Sequence, residues 1–141
     1  MTRGVAVVTG GGSGIGAAWV RRHAAEGVGG VAGAPRLGHL PAVLDVTDDA
    51  SVAELVAALG PCRLLVNNAG GALGLRSVAD ADLEEWRAMY ESNVLGTVRL
   101  TRALLPRLEA SGDGHVVTIG SIAAHEPYPG GAGYNAAKFA V

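Results

Sequence analysis

The chain has 141 residues, a formal net charge of −2, 49% apolar and 17% charged side chains, and 22 glycines. This excludes a disordered chain, a collagen repeat and a basic nucleic-acid or membrane surface. The single cysteine, Cys62, excludes an internal disulfide and fits a reducing, cytoplasmic setting.

No apolar run approaches the ~18 residues of a membrane span. The N-terminus leads straight into a strand-like run, so no signal peptide is expected. One domain spans 1–141, long enough to bury roughly 68% of its unfolded surface.

Val5–Val8 is apolar and β-branched, the pattern of a strand buried on both faces. The glycine-rich turn Gly10–Gly16 follows, then a helix over Ala17–Glu26 closed by Gly27. Gly27–Leu44 resists assignment. A strand around Val28–Ala34 is weakened by interior glycines, and no helix fits before Asp45. Asp48 is a good N-cap for a helix whose Val52, Leu55, Val56 and Leu59 form one apolar stripe, stopped by Gly60-Pro61. Leu64–Val66 reads as a strand. Asp82 caps a helix through Trp86 and Met89, and Val94–Leu108 is a second helical stretch with Leu100, Leu104 and Leu108 on one face. His115–Ile119 is a further strand, and Ala132–Val141 opens a last helix. This alternation is that of a parallel α/β sheet, a three-layer Rossmann fold.

Gly10-Gly11-Gly12-Ser13-Gly14-Ile15-Gly16 lies between strand and helix. Glycines there let the backbone approach a pyrophosphate closely. The helix start at Gly14–Gly16 offers unpaired N–H groups and the positive end of the dipole. The competing reading is a merely flexible turn. Tyr134 and Lys138 stand at i, i+4, so they share a helix face. A free tyrosine has a pKa of about 10, and a nearby ammonium favours its phenolate. His23, His39, His115 and His125 share no metal-ligand spacing, so no metal is expected. Cys62, Trp86 and Met89 read as packing.

The spacing Thr9-Gly10-x-x-x-Gly14-x-Gly16 resembles the short-chain dehydrogenase/reductase family. Asp45-Val46 is similar to that family's adenine-contacting Asp, and Asn67-Asn68-Ala69-Gly70 to its Asn-Asn-Ala-Gly motif. Asn93 resembles its helix-interrupting Asn, Ser121 its catalytic Ser, and Tyr134-x-x-x-Lys138 its Tyr-x-x-x-Lys pair. Asn67–Gly74 and Tyr128–Gly131 are closest to a subgroup of NADP-dependent 3-hydroxy acid dehydrogenases acting on short semialdehydes.

The resemblance implies hydride transfer between a nicotinamide cofactor and a small carbonyl or alcohol substrate. Tyr134 is then the acid–base group, and Ser121 steadies the substrate oxygen. Lys138 holds the ribose, and Asn93 anchors a water on a proton relay. Gly10, Gly12, Ser13, Gly14, Ile15, Gly16, Asp45, Val46, Asn67, Ala69, Gly70, Tyr134 and Lys138 contact the cofactor. NAD sites of this architecture place an acid about 20 residues past the glycine motif. That distance from Gly16 reaches Arg36, which suits a 2′-phosphate. NADP(H) is therefore expected rather than NAD, against the alternative of a surface arginine.

Three departures from the family pattern stand out. The chain stops just after Lys138, so the fold is expected to be incomplete at its C-terminal edge. Gly27–Leu44 is shorter than the family's strand, helix and loop. His23 stands where an apolar residue facing the sheet is expected. The second functional reading is accordingly a truncated dinucleotide-binding fragment without turnover. The family implies a homo-oligomer, which the truncation puts in question.

Overall fold

The structure, a computed structural model, describes residues 5–25, 30–32 and 44–141. Four parallel strands are described: β1 (Val5–Val8), β2 (Gly30–Ala32), β3 (Cys62–Asn67) and β4 (His115–Thr118). Their order is β2-β1-β3-β4. From β1 the chain winds to one side into β2 and later to the other side into β3. That reversal opens a crevice at the carboxyl ends of β1 and β3.

Alternation along the strands makes the layers, because successive side chains point to opposite faces. Val7 and Leu65 pack with Val52 and Leu55 of α2 (Asp49–Ala58) and Leu100, Leu104 and Leu108 of α4 (Gly96–Ala110). Val8 and Val66 face the other way, onto Val20 and Trp19 of α1 (Gly14–Ala25). The three-layer arrangement follows directly. Cys62 is fully buried at the start of β3, and burial pushes its thiol pKa up. It is a packing residue, as expected.

Local signals set the boundaries. Asp48 caps α2 by accepting from the Ala50 amide at 3.0 Å. Asp82 caps α3 (Leu83–Tyr90) through the Glu84 amide at 2.9 Å. At the other end of α2, Arg107 donates to the carbonyls of Leu59 and Gly60 at 2.6 and 3.2 Å.

Three boundaries differ from expectation. α1 begins at Gly14 rather than Ala17, because its first helical bond runs from the Ala17 amide to the Ser13 carbonyl. Glycine's low helix propensity matters little in a first turn that needs no earlier acceptor. β3 starts at Cys62 rather than Leu64, because Cys62 pairs with Val5 across a register shift.

The third difference is that the two helical stretches of 83–110 are one run. They are joined by a π turn over Glu91–Leu95, with neither a break nor a side-chain cap. Gly27 lies outside the described residues, as does the rest of the Gly27–Leu44 stretch apart from β2 and Leu44. Leu44 and Asp45 belong to no strand.

α5 (Ala132–Ala140) packs against α3 and against a short 3₁₀ turn over Ile122–Ala124. Gly133 permits the approach to α3. A Cβ there would fall 2.5 Å from the Met89 Cε and 3.1 Å from the Trp86 ring. His23 finds partners within its own helix, with Nδ1 3.1 Å from the Trp19 carbonyl and its ring stacked on Trp19 at 4.9 Å. Among the described residues no helix is long and apolar enough to cross a membrane.

Leu100 has no exposed surface and sits at the centre of the larger core cluster. Leu100→Ala is expected to cost about 2–5 kcal/mol. Urea unfolding should show a lower midpoint at unchanged slope, and a loss under ~1 kcal/mol would contradict this placement of the core.

Candidate active site

The crevice is built around a buried hydroxyl. Thr9 ends the apolar run of β1 and is 1% exposed. Its Oγ1 accepts from the amides of Asn68 at 2.9 Å and Ala69 at 2.7 Å. The Asn68 side chain returns the contact, donating to the Thr9 carbonyl at 2.9 Å. The glycine turn and the Asn67–Gly70 loop are thereby locked together.

The glycine turn is shaped by contacts only glycine allows. Gly10 has φ +62°. A Cβ on Gly16 would fall 2.4 Å from the Gly10 carbonyl oxygen, so α1 starts directly against the turn. Gly14 has φ +51°, and among the described residues no atom lies within 4 Å of its Cβ position, which leaves that side of the turn open to them. The amides of Gly14, Ile15 and Gly16 precede the first helical bond of α1. Gly12, Ser13 and Ile15 are exposed, Ile15 by 58%.

Asn93 sits in the π turn, 1% exposed. Its Nδ2 donates to the Met89 carbonyl at 2.8 Å and the Gly71 carbonyl at 3.0 Å. Gly70, at φ +130°, lies so close that a Cβ would be 2.4 Å from the Asn93 Oδ1. That oxygen is buried and has no hydrogen-bond partner among the described residues. Asn93 therefore ties the loop after β3 to the long helix.

Tyr134 and Lys138 share one face of α5, with the Lys138 Nζ 5.8 Å from the Tyr134 ring centroid. Lys138 is 8% exposed, and its Nζ donates to the Ile119 carbonyl at 3.0 Å, pinning α5 to the end of β4. Burial pushes its pKa below the ordinary lysine value. Ser121 follows two residues after Ile119. Its Oγ accepts from the Ala123 amide at 3.2 Å, which leaves its own proton to donate. Among the described residues the Tyr134 hydroxyl bonds to no protein group. Tyr134 borders a narrow cleft of mixed character, lined by Arg76 and Glu85 as well as Leu73, Trp86 and Met89. A broader apolar depression with Trp86, Tyr90 and Leu95 reaches Ala136, which is about 200° around α5 from Tyr134. It is not the reactive face.

Asp45 and Val46 stand beside the long helix. Thr47, through its hydroxyl at 2.7 Å and its amide at 2.8 Å, holds the Asp45 carboxyl below the usual range. Val46 is 8% exposed and rests on Gly96, where a Cβ would meet its Cγ2 at 2.6 Å. The Asn67 side chain is taken up by the scaffold, donating to the Thr101 hydroxyl at 2.9 Å. Ala69 and Gly70 form the rim. Arg36 and His39 lie outside the described residues. Among those described, no group of three His, Cys, Asp or Glu could hold a metal.

The sequence reading passes over the Thr9 hydroxyl, Asn68 and Arg99. A threonine closing an apolar strand is a signal for the first. The other two depend on partners distant in sequence.

A family model described as short chain dehydrogenase matches residues 4–141. An uncharacterized oxidoreductase of Mycobacterium tuberculosis is 58% identical over 96% of this chain and 58% of its own length. An NADP-dependent 3-hydroxy acid dehydrogenase of Escherichia coli is 43% identical over 69% of this chain and 41% of its own. Among solved structures, a closed form of serine dehydrogenase complexed with NADP+ superposes with a TM-score of 0.86 at 34% identity. That match covers 96% of this chain and 61% of the other. The chain thus spans about 58% and 41% of the lengths of these two curated relatives.

Two expectations follow from the geometry. Thr9→Val removes the acceptor shared by the half-buried Asn68 and Ala69 amides, at about 0.5–1.5 kcal/mol for each bond lost. Thermal or urea unfolding should report it, and a neutral result would mean that the amides find another partner.

The second concerns pH. Because burial lowers the pKa of Lys138, its charge is a cost to the folded state that is full below the lowered value. The cost fades as pH rises towards 10.5, the ordinary lysine value. The stability of Lys138→Met relative to the parent should therefore fall between pH 7 and 10.5. A constant difference would show that the ammonium is not penalised.

Proposed function

The chain belongs to the short chain dehydrogenase family, and on that premise we propose that it carries the nucleotide-binding and catalytic part of an NADP(H)-dependent oxidoreductase. The substrate class is a small carbonyl compound and its alcohol, a 3-hydroxy acid and its semialdehyde in particular. One observation carries the reading: Lys138 is buried beneath Tyr134 and bonded to the Ile119 carbonyl, which puts both side chains at the strand end that bears Ser121.

The crevice suits a dinucleotide. Gly10 and Gly14 are left-handed, the described residues leave the space over Gly14 open, and three amides at the start of α1 precede its first helical bond. The turn from Gly10 through Gly12, Ser13, Gly14 and Ile15 to Gly16 would hold the pyrophosphate. Asp45 and Val46 would face the adenine, and Asn67, Ala69 and Gly70 the ribose side. When bound, the nicotinamide supplies or accepts the hydride.

The protein's own groups do the rest. In reduction the Tyr134 hydroxyl gives its proton to the substrate oxygen, and in oxidation it takes it back. The Lys138 ammonium stabilises the negative charge left on Tyr134 and holds the ribose hydroxyls. Ser121 donates to the substrate oxygen as charge develops there. Asn93 anchors a water on the path by which Tyr134 is reprotonated. The preference for NADP(H) is supported by the names of relatives: the Escherichia coli relative is named for NADP, and the serine dehydrogenase structure holds NADP+.

Calorimetric titration is expected to show saturable binding of NADPH and weaker binding of NADH. Tyr134→Phe should keep NADPH binding and lose about 10²–10⁴-fold in semialdehyde reduction. A folded chain that binds neither nucleotide would overturn the reading.

A further inference from the structure

Arg99 lies in the first half of α4, and its side chain is 18% exposed. An arginine on a helix ordinarily turns its head to water. Here all three guanidinium nitrogens are committed. Nε donates to the Asp49 Oδ1, one Nη to the Val46 carbonyl, and the other Nη to the Glu91 Oε1, each at 2.7 Å. The acceptors belong to three segments: the first turn of α2, the stretch before it, and the π turn. The two carboxylates push the arginine pKa up, Glu91 first.

The three bonds differ in weight. Asp49 is 81% exposed, so its ion pair is screened by solvent and contributes little. The bond to the Val46 carbonyl fixes backbone. Val46 is also held by the same helix one turn earlier, where its side chain and carbonyl are pressed onto Gly96. Asp45, the preceding residue, spends its Oδ1 on Thr47 and keeps Oδ2 out of that turn. The position of the Asp45 carboxylate therefore depends on how firmly Val46 is held. The fork geometry of a guanidinium suits three divergent acceptors, and a lysine ammonium on a flexible stem does not replace it.

We propose that Arg99 is a positioning residue for the adenine end of the nucleotide, bracing the Asp45–Val46 wall against the π turn that carries Asn93. The proposal rests on the nucleotide-binding reading given above. It concerns a residue outside the glycine turn and the Tyr134–Lys138 pair.

The test compares Arg99→Met and Arg99→Lys with the parent chain and with Arg102→Met, an exposed neighbour on the same helix. Without nucleotide, the Thr47 and Asp48 amides bond to the Asp45 side chain and carbonyl. In Arg99→Met their hydrogen exchange should quicken about tenfold, equivalent to ~1.4 kcal/mol of lost protection. In Arg102→Met it should not change. Calorimetry with adenosine 2′,5′-bisphosphate, the adenine half alone, should show a Kd about tenfold weaker in Arg99→Met. Arg99→Lys should show a smaller loss, and it covers the case in which the Met variant fails to fold.

Unchanged exchange in both Arg99 variants overturns the brace. Faster exchange with an unchanged Kd, in a parent that binds the bisphosphate, overturns the adenine role. A parent that binds neither the bisphosphate nor NADPH defeats the functional reading, and the adenine role with it, while exchange still decides whether Arg99 braces Val46.

Discussion

The Thr9 hydroxyl is the contact on which the site depends. Where the winding of the chain switches sides at β1, the loops after β1 and β3 lie side by side beyond the last paired residues of the two parallel strands. Thr9 supplies the alignment by accepting from two consecutive amides of the neighbouring loop. The hydroxyl is buried and the two amides are half-buried, so the bonds are largely sheltered from water. The glycine turn then inherits its position from β1 and the Asn67–Gly70 rim from β3. Asn93 extends the same logic outward by fastening that rim to the long helix.

The catalytic pair depends on a second, smaller set of contacts. α5 contributes little to the main core, and its buried residues, Gly133, Asn135, Ala137 and Lys138, are all small or polar. Three contacts hold it: Gly133 against Met89 and Trp86, the Asn135 side chain donating to the Tyr128 carbonyl at 3.4 Å, and the Lys138 ammonium on the Ile119 carbonyl. Trp86 and Met89 therefore serve the site more directly than a simple packing role suggests. The residue that supplies the charge is also the residue that anchors the helix.

Much of the fold is legible in the sequence because its signals are local. Asp48 and Asp82 cap helices where side-chain chemistry says they should. Ala6, Val7 and Val8 and the stripe residues Val52, Leu55 and Leu59 bury as their patterns require, with Val5 and Val56 partly buried beside them. The ordered motifs from Gly10 to Lys138 also read directly, since glycine geometry and i, i+4 spacing are local facts. What is not legible is relational. The Thr9 hydroxyl, Asn68 and the Arg99 fork act on residues from 8 to 60 positions away, and apart from the Glu91–Arg99 pair no short window of sequence holds both partners. The π turn is signalled only by the resemblance that makes Asn93 a helix-interrupting residue, and its form is not legible from composition. Glu91–Leu95 has ordinary helix formers at its ends, and the extra residue shows only in the hydrogen-bond ladder.

That extra residue has a consequence for what the segment can tolerate. A π turn is an α-helix with one residue too many, so everything after it is rotated by about 100° from where an unbroken helix would put it. Upstream, Met89 faces α5. Downstream, Leu100, Leu104 and Leu108 face the sheet. The two faces are in phase with their partners only while the bulge persists. A substitution that let 91–95 anneal into a plain α-helix at the present length would turn the whole leucine stripe of α4 about 100° away from β3. Deleting one residue of the turn would remove the bulge and leave the stripe in phase, so the segment tolerates a one-residue gap that an ordinary helical turn would not.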